Sequence, residues 1–216
     1  MQITAGMQPE IGLSVTEAAR RAQILTATID VLAEHGYSAT TFEAIRARAG
    51  LSSTRMIGYH FGTKADLMNA VLGTLLHAKE QFVLERAGQA TGRTALLRAH
   101  LRAETDFVRA HPDAVRALDE VRRNAGQDPI MDALQAEMRY GRLERLLRQG
   151  QQEGEFGEFA PGVMARTIAH SVDGAAAALA ADPATDLEAY GDELADLFER
   201  ATRPAGAATP DQARES

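Results

Sequence analysis

Three times in the first third of the chain, a hydroxyl residue is followed three positions later by a carboxylate, just ahead of apolar residues spaced three and four apart. The pairs are Ser14 with Glu17, Thr40 with Glu43 and Thr63 with Asp66. A hydroxyl that accepts from the third backbone amide of a helix, with an acid reaching back, satisfies donors that a helix start otherwise leaves unpaired. Each pair therefore predicts the beginning of a helix. After Ser14, the residues Ala18, Ala22, Leu25, Ile29 and Leu32 define one apolar face as far as Gly36. After Thr40, Phe42, Ile45 and Ala49 define a short second helix ended by Gly50. A third helix is expected over about 53–61, and a fourth from Thr63 through Leu67, Val71, Leu75 and Phe82 to near Gly88.

The same spacing continues beyond Gly88, with helices expected at about 92–110, 112–124, 129–153, 161–181 and 185–202. They are separated at Pro112, around Gly126 to Pro129, at Gly154 to Pro161 and at Asp182-Pro183. No stretch alternates in the manner of a strand, so the expected fold class is all-α, with about nine helices. Residues 1–13 are expected to form a flexible N-terminus, and the polar, proline-containing stretch 203–216 a disordered tail. The alanine-rich run GAAAALAA at 174–181 sits among Ile168, Val172 and Leu179, which suits a closely packed helix face.

Several function classes lose support at this level. No apolar run approaches the ~18 residues that a membrane span needs, and MQITAGMQPE lacks the basic-then-apolar form of a signal peptide. With no cysteine, neither a disulfide framework nor a thiolate metal site is available, and a cytoplasmic protein is expected. His35, His77, His100, His111 and His170 are not preceded three residues earlier by glutamate, and no HExxH occurs, so no metal is expected. Glu153, Glu155 and Glu158 form an acidic cluster best explained as a solvated loop. No glycine-rich phosphate loop and no GxSxG turn is present, so neither an enzyme nor a cofactor is expected.

The net charge of −7 argues against a nucleic-acid binder if it is taken whole, because phosphate neutralisation needs Lys and Arg. Its distribution matters more. Through residue 64, Arg20, Arg21, Arg46, Arg48, Arg55 and Lys64 slightly outnumber the acids, and the acidic excess lies in the remainder. A near-neutral head on an acidic body is compatible with DNA binding through a small basic face. Residues 49–64, AGLSSTRMIGYHFGTK, then acquire a meaning. On a helical wheel, Thr54, Arg55, Gly58 and Tyr59 fall on one side, and Met56, Ile57, His60 and Phe61 on the other. Two short helices across a glycine-containing turn, the second with a polar side, match a helix-turn-helix that lays its second helix in the major groove.

The run TTFEAIRARAGLSSTRMIGYHFGTKADL, residues 40–67, resembles the DNA-binding head of the tetracycline-repressor (TetR) family of bacterial transcriptional regulators. The preceding ARRAQILTATIDVLAEHGYSATT resembles that family's first helix, so the likeness covers roughly residues 15–72. More weakly, GQQEGEF with Ala165, Ile168 and the later Asp173-Gly174 resembles the family's approach to its dimerisation helices. The resemblance implies phosphate contacts from Thr40 or Thr41, from Tyr59 and His60, and from Lys64, one of two lysines in the chain. It leaves base-edge reading to Ser53, Thr54 and Arg55, with Gly58 allowing close approach to the duplex or room for a thymine methyl. The turn AGLSS is one residue longer than the common family form, which leaves open which serine caps the third helix. Where the family often has tyrosine, position 58 is glycine, with Tyr59 beside it.

The resemblance also implies a use for the helical body. Residues 14–64 would form the DNA-binding domain, and 65–202 a domain that binds a small molecule and dimerises. Apolar stripes at Ile168, Val172, Ala175 and Leu179, and at Leu187, Leu194 and Phe198, would form a four-helix homodimer interface, with intrachain core as the alternative. A two-fold dimer sets two recognition helices about one DNA turn apart, hence a palindromic operator of double-stranded DNA. An effector pocket would be bounded by His100, Phe107, Met131, Leu134, Met138 and His170. The effector would shift the population toward a body arrangement that moves the heads out of operator geometry. The competing reading is a helical enzyme or small-molecule carrier with a vestigial head.

Overall fold

The structure, a computed structural model, describes residues 14–124, 133 and 135–205. Among these the secondary structure is helical: α1 (Val15–Ala39), α2 (Phe42–Arg48), α3 (Arg55–Phe61), α4 (Lys64–Ala87), α5 (Arg93–Ala110) and α6 (Pro112–Asn124). A π-helical turn over Glu137–Gly141 then runs into α7 (Arg142–Gln152), followed by α8 (Pro161–Ala181) and α9 (Leu187–Thr202). Within the expected helix at 129–153, residues 129–132 and 134 lie outside the described residues, and with them Met131 and Leu134. The described chain groups into two compact units, one of residues 14–81 and 110–124, the other of 82–109, 133 and 135–205.

The first unit is built on α1. Ser14 and Glu17 form the expected reciprocal cap, the Ser14 hydroxyl accepting from the Glu17 amide at 3.3 Å and the carboxylate accepting from the Ser14 amide at 2.9 Å. These bonds hold the Glu17 carboxyl below its ordinary range. Of the expected apolar face, Leu25, Ile29 and Leu32 are 1% exposed and Ala18 and Ala22 are half-buried, and Ile24 beside them is fully buried. The Thr28 hydroxyl, also fully buried, donates to the Ile24 carbonyl at 2.7 Å, which satisfies it. At Gly36 the backbone leaves helical geometry, with φ 76° and ψ 175°, a conformation that favours glycine and a turn where the sequence predicted one. α6 belongs to this unit, burying Ala114, Ala117, Leu118 and Val121. Its sequence position beyond residue 65 had suggested the body.

The second unit closes around Leu97, Leu101, Leu147, Ile168, Val172 and Phe198. α5 and α9 approach closely because residue 191 is glycine; a Cβ there would lie 2.3 Å from the Thr105 hydroxyl. Arg98 reinforces the pair by bonding to Asp196 at 2.6 Å and Glu199 at 2.5 Å. The acidic cluster is not merely solvated. Glu155 accepts from the Arg93 and Thr94 amides at 2.8 and 3.2 Å, satisfying the first turn of α5, while Glu153 pairs with the Arg93 guanidinium.

The stripes expected to form a dimer interface lie instead mostly inside the protomer. Ile168, Val172, Ala175, Leu187, Leu194 and Phe198 are between 0 and 9% exposed, and Leu179 is half-buried. The reason is general: an apolar stripe signals burial, and the adjacent helices of the same chain cover it first. Among the large apolar side chains left exposed on α8 and α9 are Val163 and Leu197.

Candidate nucleic-acid interface

The helix-turn-helix is built by an N-cap, a clamped turn and one packed helix face. Thr41, not Thr40, caps α2, its hydroxyl accepting from the Ala44 amide at 3.1 Å. The Thr40 side chain is turned inward, fully buried, and donates to the Gly36 carbonyl at 2.7 Å. Glu43, freed from capping, pairs with Arg46 at 2.7 Å, and this pairing lowers its pKa. Arg46 also donates to the Leu51 carbonyl at 3.0 Å, and Gln23 of α1 donates to the Ala49 carbonyl at 2.6 Å. The turn, with Gly50 at φ 64°, is thus held from both sides while Ala49 and Leu51 are buried beneath it.

α3 begins at Arg55. Of the two candidate serines, Ser53 supplies the side-chain oxygen at its start, accepting from the Arg55 amide at 3.2 Å; Thr54 makes no capping bond. Ile57 and Phe61 are buried and anchor the helix. At its C-terminal end, the Arg21 guanidinium bonds to the His60 carbonyl and lies 4.3 Å from the Phe61 ring centroid. A cation there complements the partial negative charge of a helix C-terminus. The wheel's division therefore describes the packed face in part: Ile57 and Phe61 are enclosed, whereas Met56 and His60 are half-buried.

The outward residues form a contiguous chemical surface. Tyr59 is 76% exposed, and Arg55 is exposed with no ion pair among the described residues, unlike its neighbours Arg46 and Arg48. A Cβ placed on Gly58 would meet no atom of another element within 4 Å, so among the described residues no other part of the chain fills the space left by its missing side chain. His60 lies edge-on to Tyr59 with centroids 5.1 Å apart. Burial, then the nearby Arg21 charge, pushes its pKa down, which disfavours the charged imidazolium. Lys64 donates to the Tyr37 carbonyl at 2.9 Å and sits 4.3 Å from the Tyr37 ring centroid. Burial lowers its pKa, yet two of its three ammonium hydrogens remain for a further acceptor.

Arg21, Gln23 and Tyr37, which hold this surface together, were not legible as site residues. They lie on α1, and each bond runs through a backbone atom that carries no residue-specific signal: Arg21 and Gln23 donate to the His60 and Ala49 carbonyls, and the Tyr37 carbonyl accepts from Lys64. Of the expected effector residues, Met131 and Leu134 lie outside the described residues, and the other four differ in exposure. Phe107 is buried edge-on to Phe82, His100 is half-buried beside Glu104, Met138 is 41% exposed, and His170 lies at the surface near Asp173. A groove of about 470 Å³ in the second unit, lined by residues including Arg86, Ala95, Arg98, Arg102 and Asp106, contains none of them.

A clamped turn, an anchored seven-residue second helix and an open polar face define a helix-turn-helix of the kind used by DNA-binding transcriptional regulators. Residues 24–71 match the profile of bacterial regulatory proteins of the tetR family. The fold is shared with solved structures, including a tetR-family regulatory protein from Rhodococcus RHA1 at TM-score 0.72 and 21% identity, covering 86% of this chain and 98% of that one. It is also similar to the fatty acid degradation regulator FadR from Bacillus halodurans, at TM-score 0.70 and 19% identity over 87% and 98% of the two chains. A third is SmeT, the repressor of the Stenotrophomonas maltophilia multidrug efflux pump SmeDEF, at TM-score 0.69 and 23% identity over 88% and 93%. A search of curated protein sequences returns no match. The profile match thus places a tetR-family DNA-binding head at residues 24–71, and the fold along most of the chain is the one that these solved structures share.

Proposed function

We propose that the protein is a repressor that binds a palindromic duplex operator as a homodimer and is released by a small molecule. The observation that carries this reading is the outward row of α3, where among the described residues Arg55 has no ion pair and the space beside Gly58 is left open. Arg55, with Ser53 and Thr54, reads base edges, Arg being able to bond guanine O6 and N7 together. Thr41, Tyr59, His60 and Lys64 hold the phosphate backbone. Thr40 is better assigned to supporting the α1–α2 joint, because its hydroxyl is already bonded inside.

The domain reading follows the same line, with residues 14–64 as the DNA-binding head and 65–202 as the effector-binding and dimerising body. The exposed sides of α8 and α9, including Val163 and Leu197, replace the buried stripes as the dimer surface. The name of one similar structure, a repressor of an efflux pump, supports the choice of repressor. No helix among the described residues is long and apolar enough to cross a membrane, which suits a cytoplasmic regulator. The test is enrichment of a random duplex library by the protein, followed by anisotropy titration of the selected duplex. Arg55→Ala should relax base preference at one position by about 1–3 kcal/mol, whereas Lys64→Ala should weaken all duplexes alike and reduce the salt slope by about 1. A wild-type protein that enriches no sequence at low or moderate salt would overturn the proposal.

A further inference from the structure

The helix-turn-helix is tied to α6 by one side chain that the motif does not include. Where Gly36 departs from helical geometry, the next amide, Tyr37 N–H, donates to the Glu120 carboxylate at 2.8 Å, across 83 residues of sequence. The other carboxylate oxygen accepts from Arg123 at 3.1 Å, which orients the group. Gly36 makes room for it: a Cβ there would stand 3.1 Å from the bonded oxygen. From this point, bonds spread toward the DNA-facing surface. The Tyr37 carbonyl accepts from the Lys64 ammonium at 2.9 Å and from the Thr40 amide at 3.2 Å, and the Gly36 carbonyl accepts the Thr40 hydroxyl at 2.7 Å. Thr41, immediately after, caps α2. The groups that aim Lys64 and start α2 therefore converge on residues 36 and 37, and Glu120 fixes those residues to a separate helix of the same unit.

We infer that Glu120 is a positioning residue for operator binding, acting through Tyr37 on Lys64 and the start of α2. The inference rests on the DNA-binding reading above. Glu120 itself touches no DNA; a carboxylate near phosphate would repel it, so any gain in affinity has to come through the geometry it imposes. The hydrogen bond and the charge can be separated. Glu120→Gln keeps an acceptor oxygen at the same reach without the charge, while Glu120→Asp keeps the charge but shortens the reach by one methylene.

The experiment uses the full chain and the duplex enriched by wild type, with three readouts: duplex affinity by anisotropy, amide hydrogen exchange and the thermal unfolding midpoint. Glu120→Asp should bind about tenfold more weakly, the scale of losing a hydrogen bond to a charged group. Its exchange should rise at residues 36–41 alone, with the midpoint moved by no more than a few degrees. Glu120→Gln should stay within about threefold of wild type. In a Lys64→Ala background, the Glu120→Asp loss should shrink, because the two substitutions act along one path. Equal affinity of Glu120→Asp and wild type would overturn the inference. So would the reverse order of the two variants, which would indicate a field effect, or exchange rising throughout the head, which would indicate general destabilisation. If wild type enriches no duplex, the DNA-binding reading fails first and this inference with it; enrichment with an unaffected Glu120→Asp defeats the inference alone.

Discussion

α3 and α8 present the same pattern in sequence, an apolar side against a polar or small one, and the structure uses the two patterns differently. In α3 the apolar side, Ile57 and Phe61, anchors seven residues, and the opposite side is left bare, with Tyr59 three-quarters exposed and Arg55 without an ion pair among the described residues. In α8 the apolar stripe of Ile168, Val172 and Ala175 is taken up by the protomer's own core, with Leu179 half-buried at its end. Amphipathicity thus reports which side is buried and says nothing about which partner buries it. The informative side of a helix, for function, is the one its own chain leaves uncovered.

The largest test of that contrast is at two adjacent residues of α9. Phe198 is 4% exposed and Leu197 is 49% exposed. Phe198→Ala should cost about 3–5 kcal/mol of stability in urea unfolding, the ordinary range for an aromatic removed from a core. Leu197→Glu should leave protomer stability within about 0.5 kcal/mol and instead lower the mass seen by analytical ultracentrifugation. If Phe198→Ala dissociated the protein with its stability intact, the stripe would be an interface after all and the contrast would collapse.

A smaller effect separates Thr41 from Thr40. The hydroxyl–carboxylate spacing pointed to Thr40 with Glu43, yet the cap is one residue later, because the Thr40 hydroxyl is taken by the Gly36 carbonyl and Glu43 by Arg46. Thr41→Ala should cost about 1 kcal/mol of stability, as for loss of an N-cap. Unchanged unfolding in Thr41→Ala, with a loss in Thr40→Ala, would return the cap to the position that spacing favoured.

These residues also show what was legible. Helix positions, the caps at Ser14 and Thr63 and the helix-turn-helix could be seen because they depend on short-range spacing, and short-range spacing survives in a single sequence. The clamps at Arg21, Gln23 and Glu120 could not, since each bonds a backbone atom 39, 26 or 83 residues away and any residue would offer that atom. Exposure within the expected effector set was illegible for a third reason. Phe107 and Met138 carry the same helical spacing, yet one is 2% exposed and the other 41%, a difference set by tertiary packing alone.

The smallest effect expected concerns Gly58, where stability and function should move in opposite directions. A glycine inside a helix costs roughly 0.5–1 kcal/mol against alanine, and at this position a methyl group would touch nothing within 4 Å. Gly58→Ala should therefore stabilise the protein by about that amount, raising the unfolding midpoint by a few degrees. The enriched duplex should nevertheless bind more weakly, since the methyl would stand between α3 and the groove floor on the side that carries Arg55 and Tyr59. Because the variant folds at least as well as wild type, a loss of affinity cannot be assigned to damage. A stabilised Gly58→Ala that binds the duplex as tightly as wild type would mean the space above residue 58 stays empty in the complex, and the bare side of α3 would then owe its reading to Arg55 and Tyr59 alone.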